Sequence, residues 1–207
     1  MSRILLVGGG GFAKEVHEIA DLNGHDVVGY VADAPGVAAL PHLGPVEAIA
    51  DLKAQFDHFV IAFGAVDRKS LARRAELIGR IDQLGLSSVA LVSPHATISR
   101  GAEVAPGAIV AHGVVVSVDA RIGAHAILNS SAVVGHDAII GARAIVAPCA
   151  FVGGAAVIGG DSLLGPNSVV LEGRSVGSNV IVSLGSLVLR DVAEGMTVLP
   201  TRSQARH

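Results

Sequence analysis

The chain has 207 residues, of which 51% are hydrophobic but only 3% aromatic, with 26 glycines, no tryptophan and a formal net charge of -3. No basic run is longer than a pair, which argues against a nucleic-acid binder. The one cysteine, Cys149, excludes an internal disulfide framework and any multi-cysteine metal site.

Residues 1–90 read as alternating strands and helices. Arg3 to Val7 is a short apolar strand that begins almost at the first residue, leaving no separate signal-peptide region. It runs into Gly8-Gly9-Gly10-Gly11-Phe12 and then a helical pattern carrying Val16, Ile19, Ala20 and Leu22. A second strand spans Asp26 to Val31 and is followed by Asp33. A third spans Phe59 to Phe63 and ends at Gly64, and a long helix is expected from Arg68 to Leu84. This alternation predicts a small, Rossmann-like open parallel sheet.

From Leu91 to Val192 the chain divides into 17 hexapeptides without remainder, from LVSPHA and TISRGA to IVSLGS and LVLRDV. The second place is Val, Ile or Leu in every unit, and the third is Gly, Ala, Ser or Asn in 15 of the 17. A period of 3.6 cannot keep every sixth residue on one face, so the repeat is not helical. The physical reading is a triangular solenoid. Each unit is a short strand and a turn, three units make an 18-residue coil, and coils stack about 4.8 Å apart. The second-place aliphatics would fill a prism too narrow for aromatic rings. Mean hydropathy is +0.59. The longest weakly polar stretch, 144–160, holds Pro148 and four glycines and makes a poor membrane-spanning helix. A soluble, cytoplasmic protein with no membrane span is expected. The domains expected are 1–90, 91–192 for about six coils, and a C-terminal tail over 193–207.

First-place residues sort into three outer columns. One carries Leu91, Ile109, Ile127, Ile145, Leu163 and Ile181; a second carries Thr97, Val115, Val133, Phe151, Val169 and Leu187; a third carries Glu103, Arg121, Ile139, Val157 and Ser175. An aliphatic column of this length is too apolar for water. One or both apolar faces are expected to be buried between subunits, most simply in a three-fold oligomer. The alternative is that the N-terminal domain folds back over them.

Of the nine histidines, His17, His25, His42 and His58 are scattered and His207 is terminal. His95, His112, His125 and His136 all fall at turn places, where side chains are expected to project into solvent. They are separated by 17, 13 and 11 residues, none a whole coil, which does not suggest a zinc cluster. Cys149, also at a turn place, has no partner for nucleophilic work and reads as structural. His136 differs by its neighbours. Asp137 follows it, Asp119 lies one coil before Asp137, and Gly154 lies one coil after His136. An imidazole, carboxylates and an exposed glycine N–H at one corner are what acyl transfer requires. The stacking alone leaves a solvated turn histidine as the other reading.

The hexapeptide pattern resembles the left-handed parallel β-helix of hexapeptide-repeat acyltransferases. The handedness comes from that resemblance; periodicity does not supply it. The whole chain resembles the family's sugar-modifying branch, the N-acetyltransferases of nucleotide-linked 4-amino-4,6-dideoxy sugars and the sialic acid O-acetyltransferases. The resemblance is carried by Asn129-Ser130-Ser131, His136-Asp137 and Ile140-Gly141. It implies His136 as general base, Asp137 as its orienting carboxylate, Gly154 as oxyanion donor and Asn129 as a supporting polar group. It implies acetyl-CoA as co-substrate, with the pantetheine arm along Gly154, Pro166 and Leu184, and no metal. Some relatives carry a second histidine where this chain has Ile145.

The glycine-rich turn is weak evidence for a dinucleotide site by itself. Asp33 stands about where a Rossmann protein reads a ribose. The resemblance implies instead that Gly10, Gly11, Phe12, Asp33 and Gly64 hold a nucleotide-sugar. The function expected is acetyl-CoA-dependent N-acetylation of such a sugar by a homotrimer with active sites between subunits, for bacterial surface glycan synthesis. The rivals are an O-acetyltransferase acting on a sialic acid-type sugar, a carbonic-anhydrase-like metalloenzyme and a non-catalytic β-helix scaffold.

Overall fold

The computed structural model describes residues 1–200; residues 201–207, including His207 and the end of the expected tail, lie outside the described residues. The N-terminal part builds strands β1 (Arg3–Val7), β2 (Asp26–Val31) and β3 (His58–Ile61) into one parallel sheet of order β2-β1-β3. Helix α1 (Gly11–Leu22) links the first two, and α2 (Arg68–Asp82) follows the third. Buried Ala13, Val16, Ile19 and Ala20 form the inward stripe of α1, at the spacing an amphipathic helix needs. Helix α2 starts at a capping box. The Asp67 carboxylate accepts from the Ser70 N–H at 2.7 Å, and the Ser70 hydroxyl accepts from the Asp67 N–H at 3.1 Å.

Residues 91–198 form a parallel β-helix of two-residue strands in three sheets of seven, six and five strands. Registry is one coil per rung: Ile127 pairs with Ile109 and Ile145, and Val133 with Val115 and Phe151. Thr197–Val198, from the stretch expected as tail, pairs with Ile181–Val182 and adds a last rung. From Val110 to Val188 the second-place aliphatics are buried. The alanines at the sixth place, such as Ala120, Ala138 and Ala156, are fully buried as well. The sixth place therefore points into the prism, and its small side chains fill the corners. The fifth-place turn residues Asp119, Asp137, Cys149 and Asn167 have φ of 54–58°. This is the left-handed region, which Asp and Asn tolerate best.

The three outer columns meet different fates. Leu91, Ile109, Ile127, Ile145 and Leu163 are buried within the single chain, in one core cluster with Ala13, Val16 and Ile19 of α1. Of the two covers expected, this column takes the second: the N-terminal domain folds back over it. Helix α2 lies along one edge of the covered face. The Arg68 guanidinium donates to the Asn179 carbonyl at 2.6 Å, and that of Arg74 donates to the Arg143 carbonyl at 3.2 Å. Six helical residues rise about 9 Å and two coils about 9.6 Å, so helix and solenoid keep step along this edge. The second column stays open in one chain, with Phe151 43% and Leu187 51% exposed. Among the described residues, no helix is long and apolar enough to cross a membrane.

Candidate active site

His136 occupies the corner after the strand Val133–Val134. Its Nδ1 lies 2.8 Å from Asp137 Oδ2. An ionised carboxylate only accepts, so in the neutral imidazole Nδ1 carries the proton and Nε2 keeps its lone pair. A Cβ built on Gly154 would come 2.5 Å from Nε2, which places the imidazole directly over that glycine. The hydrogen bond to Asp137 holds the His136 pKa above the ordinary imidazole value; desolvation opposes it, and the Asp137 and Glu172 charges add to the rise. Both side chains are exposed.

Gly154 itself is buried, not exposed as expected, because the imidazole and the next coil cover it. Coil-to-coil hydrogen bonds flank it: Gly153 N–H donates to Val170 at 2.9 Å, and Ala155 N–H donates to the His136 carbonyl at 2.7 Å. Gly154 takes no donor part in that ladder, nor does any other fourth-place residue.

Two cavities lie against the N-terminal domain. The first, about 400 Å³, sits at the carboxyl ends of β1, β2 and β3, where open α/β sheets bind ligands. Its wall includes Gly8, Asp33, Phe63, Gly64 and Arg73. Asp33 pairs with Arg73 at 2.7 Å, and Glu47 with Arg80 at 3.1 Å. Beside it, α1 opens at Gly10 with no side-chain cap, and a Cβ on Gly10 or Gly11 would meet nothing within 4 Å. Uncapped N–H groups facing open space suit an anion such as a diphosphate. Gly9 is held more tightly. Its carbonyl accepts from Val37 and Ala38 N–H at 2.8 and 3.1 Å, and a Cβ there would run into the Tyr30 ring.

The second cavity, about 590 Å³, lies between the two domains. Phe12, Gly64, Ala65 and Val66 form its wall, the aliphatic column Ile127, Ile145, Leu163 and Ile181 its floor, and Asn129, Pro148, Pro166 and Leu184 its outer edge. Gly64 lines both cavities.

The structure thus sorts the expected residues into three groups. Asn129, Pro166 and Leu184 share the second cavity with Phe12; Asp33 and Gly64 share the first; Gly10 and Gly11 line neither. His136, Asp137 and Gly154 belong to the next corner of the prism, a full hexapeptide side away, roughly 20 Å along the chain. Ala65, Val66, Leu163 and Ile181 did not emerge as site residues from the sequence. Their signal is only apolarity, which core residues share.

Arg74 was also missed. It is 1% exposed and spans both domains, donating to the Phe63, His125 and Arg143 carbonyls at 3.1, 2.8 and 3.2 Å. Burial lowers its pKa to about 10, so it remains a cation at neutral pH. His125 beside it is 5% exposed, a correction to the solvated role expected of turn histidines. The returning domain covers that corner, and Phe59 stacks on the ring at 5.8 Å. Burial holds the His125 pKa below the ordinary value, partly opposed by Asp82, while Arg74 and Arg143 add to the depression. Among the described residues, no three His, Cys, Asp or Glu side chains gather as a metal-ligating group.

A carboxylate-bound imidazole on a parallel hexapeptide β-helix defines an acyltransferase of the hexapeptide class. The PglD N-terminal domain family matches residues 3–75, and the bacterial transferase hexapeptide family (six repeats) matches 119–154. PerB from Caulobacter crescentus, solved with CoA and GDP-perosamine, is 30% identical, with a TM-score of 0.87 over 94% of this chain and 92% of its own. The acetyltransferase domain of PglB from Neisseria gonorrhoeae, solved with acetyl coenzyme A, is 25% identical, with a TM-score of 0.87 over 96% of this chain and 98% of its own. WeeI from Acinetobacter baumannii shares the fold at 21% identity and a TM-score of 0.80, over 95% of this chain and 99% of its own. No curated protein sequence matches. The chain belongs to the hexapeptide-repeat family of CoA-dependent sugar N-acetyltransferases.

Proposed function

We propose that this enzyme transfers the acetyl group of acetyl-CoA to the 4-amino group of a nucleotide-linked 4-amino-4,6-dideoxy sugar, the kind of product that enters bacterial surface glycans. The observation that carries the reading is the His136–Asp137 contact at 2.8 Å, which leaves Nε2 as a base above Gly154. Its context is the likeness to PerB, solved with CoA and GDP-perosamine. The nucleotide occupies the first cavity, with its diphosphate toward Gly10 and Gly11 and its ribose or base toward Asp33. The sugar passes Gly64 and stops at Phe12, at the mouth of the second cavity. The pantetheine arm runs along Pro166 and Leu184, one coil apart, with Asn129 nearby.

His136 and this cavity occupy neighbouring corners of the prism, one at each edge of the exposed face that carries Val133, Phe151 and Leu187. Three chains packed by that face around a three-fold axis bring the His136 corner of one against the Pro166 corner of the next. The site is then complete only between subunits, and the apolar face is covered in the same step. In that setting Nε2 takes the proton of the attacking amine as nitrogen adds to the thioester carbonyl. Asp137 stabilises the imidazolium, and the Gly154 N–H donates to the developing oxyanion. Collapse breaks the C–S bond and releases CoA.

The test is release of CoA thiol with acetyl-CoA and a panel of GDP-, UDP- and dTDP-linked sugars, each as a matched 4-amino and 4-hydroxy pair. Turnover is expected with an amino member. Turnover confined to hydroxyl sugars would make the enzyme an O-acetyltransferase. His136→Asn is expected to lower kcat by about 10²-fold or more with an unchanged circular dichroism spectrum. Near-normal turnover would remove His136 from the mechanism.

A further inference from the structure

We propose that the second cavity binds the acyl chain of thioesters longer than acetyl, so that the enzyme uses short-chain acyl-CoA donors of about four carbons at least as readily as acetyl-CoA. The inference rests on the donor placement argued above.

Ile127, Ile145, Leu163 and Ile181 stand in register one coil apart, joined by parallel pairing. Four such rungs span about 14 Å. Phe12, Ala65 and Val66 face them from the N-terminal domain, and Leu184 continues the apolar surface to the mouth. Of the lining side chains only Asn129 and Ser183 are polar, and none is charged. A hexose carries hydroxyls that such a floor cannot satisfy, and leaving them unpaired is costly. Hydrocarbon is the chemistry that fits. The cavity measures about 590 Å³. An acetyl methyl fills little more than the share of one water, about 30 Å³, and would leave most of the floor unfilled. Ile145 sits at the second rung, where its aliphatic side chain extends the apolar floor. Chain length does not alter the reaction balance: the C–N bond forms, the C–S bond breaks, the amine proton passes to His136 and on to the departing sulfur, and CoA leaves as the thiol.

Hydrocarbon could also come from the C6 methyl of the sugar, so the experiment reads the donor alone. Calorimetric titration of the full-length protein with CoA, acetyl-, propionyl-, butyryl- and hexanoyl-CoA is expected to show affinity rising roughly fourfold per methylene as far as butyryl. A series that is flat or falls beyond acetyl overturns the inference, assigns the floor to the sugar methyl and leaves the acetyltransferase reading standing. Absence of binding by CoA and every thioester overturns both. Ile145→Phe, which fills the second rung, is expected to abolish the rise with chain length. A rise that persists in Ile145→Phe places the chain elsewhere and overturns the assignment.

Discussion

The imidazole of His136 rests over Gly154, so near that a Cβ on the glycine would lie 2.5 Å from Nε2. Gly154 does not have a positive φ, and the atom met belongs to an exposed, movable side chain. Gly154→Ala should therefore leave the fold intact, with Tm unchanged or slightly raised as the unfolded chain loses freedom. Displacement of the ring should lower kcat by about 10²-fold, because an ångström-scale misplacement of a base is enough. Paired thermal melts and turnover measurements check this. A variant that keeps full activity would show that the ring position over Gly154 is irrelevant.

Asp137 raises the His136 pKa, and a general base acts in its neutral form, the role proposed for His136. Activity should thus fall as pH drops through the raised value, giving an acid limb at higher pH than an ordinary histidine would show. In Asp137→Asn that limb should move to lower pH, and the plateau should drop roughly tenfold as orientation is lost. The pH dependence of kcat/KM measures both. A limb that stays in place would mean Asp137 does not set the base.

The exposed face bearing Val133, Phe151 and Leu187 makes a prediction about assembly. Phe151→Glu places a charge at its centre and should convert a three-fold oligomer to monomers in analytical ultracentrifugation. Turnover should disappear with the oligomer, since the proposed site takes His136 and the Pro166 edge from different chains. A monomeric wild-type protein with full activity would contradict this arrangement.

Arg74 ties α2 to two corners of the β-helix and to the carbonyl just before Gly64. Arg74→Met removes the donors and leaves three carbonyls short of partners, at a cost of about 3 kcal/mol. For a chain of this length that corresponds to a Tm lower by roughly 10 °C. KM for the nucleotide-sugar should rise as well, because the wall between the two cavities loses its anchor. Melts and initial-rate kinetics test the two effects separately.

Much of the solenoid is legible in the residues alone. A period of six with an aliphatic at every second place can satisfy a buried interior only as a coiled parallel strand, and the scarcity of aromatics follows from the narrow prism. The same period places His136, Asp137 and Gly154 together, because one coil is 18 residues and stacked corners must coincide. The hand of the coil is not written in the period, which either hand would satisfy.

Other features required the folded chain. An apolar first-place column needs a cover, but one-dimensional pattern does not say whether the cover is the same chain or another copy. The tertiary structure settles one column in favour of α1 and α2, and with it buries His125 and gives Arg74 a purpose that its polar sequence context conceals. The second cavity exists only because that domain returns to the β-helix at a set distance; the first lies within the domain itself. Local periodicity determined which residues share a corner; long-range packing decided which corners are covered, because burial depends on what arrives from elsewhere in the chain.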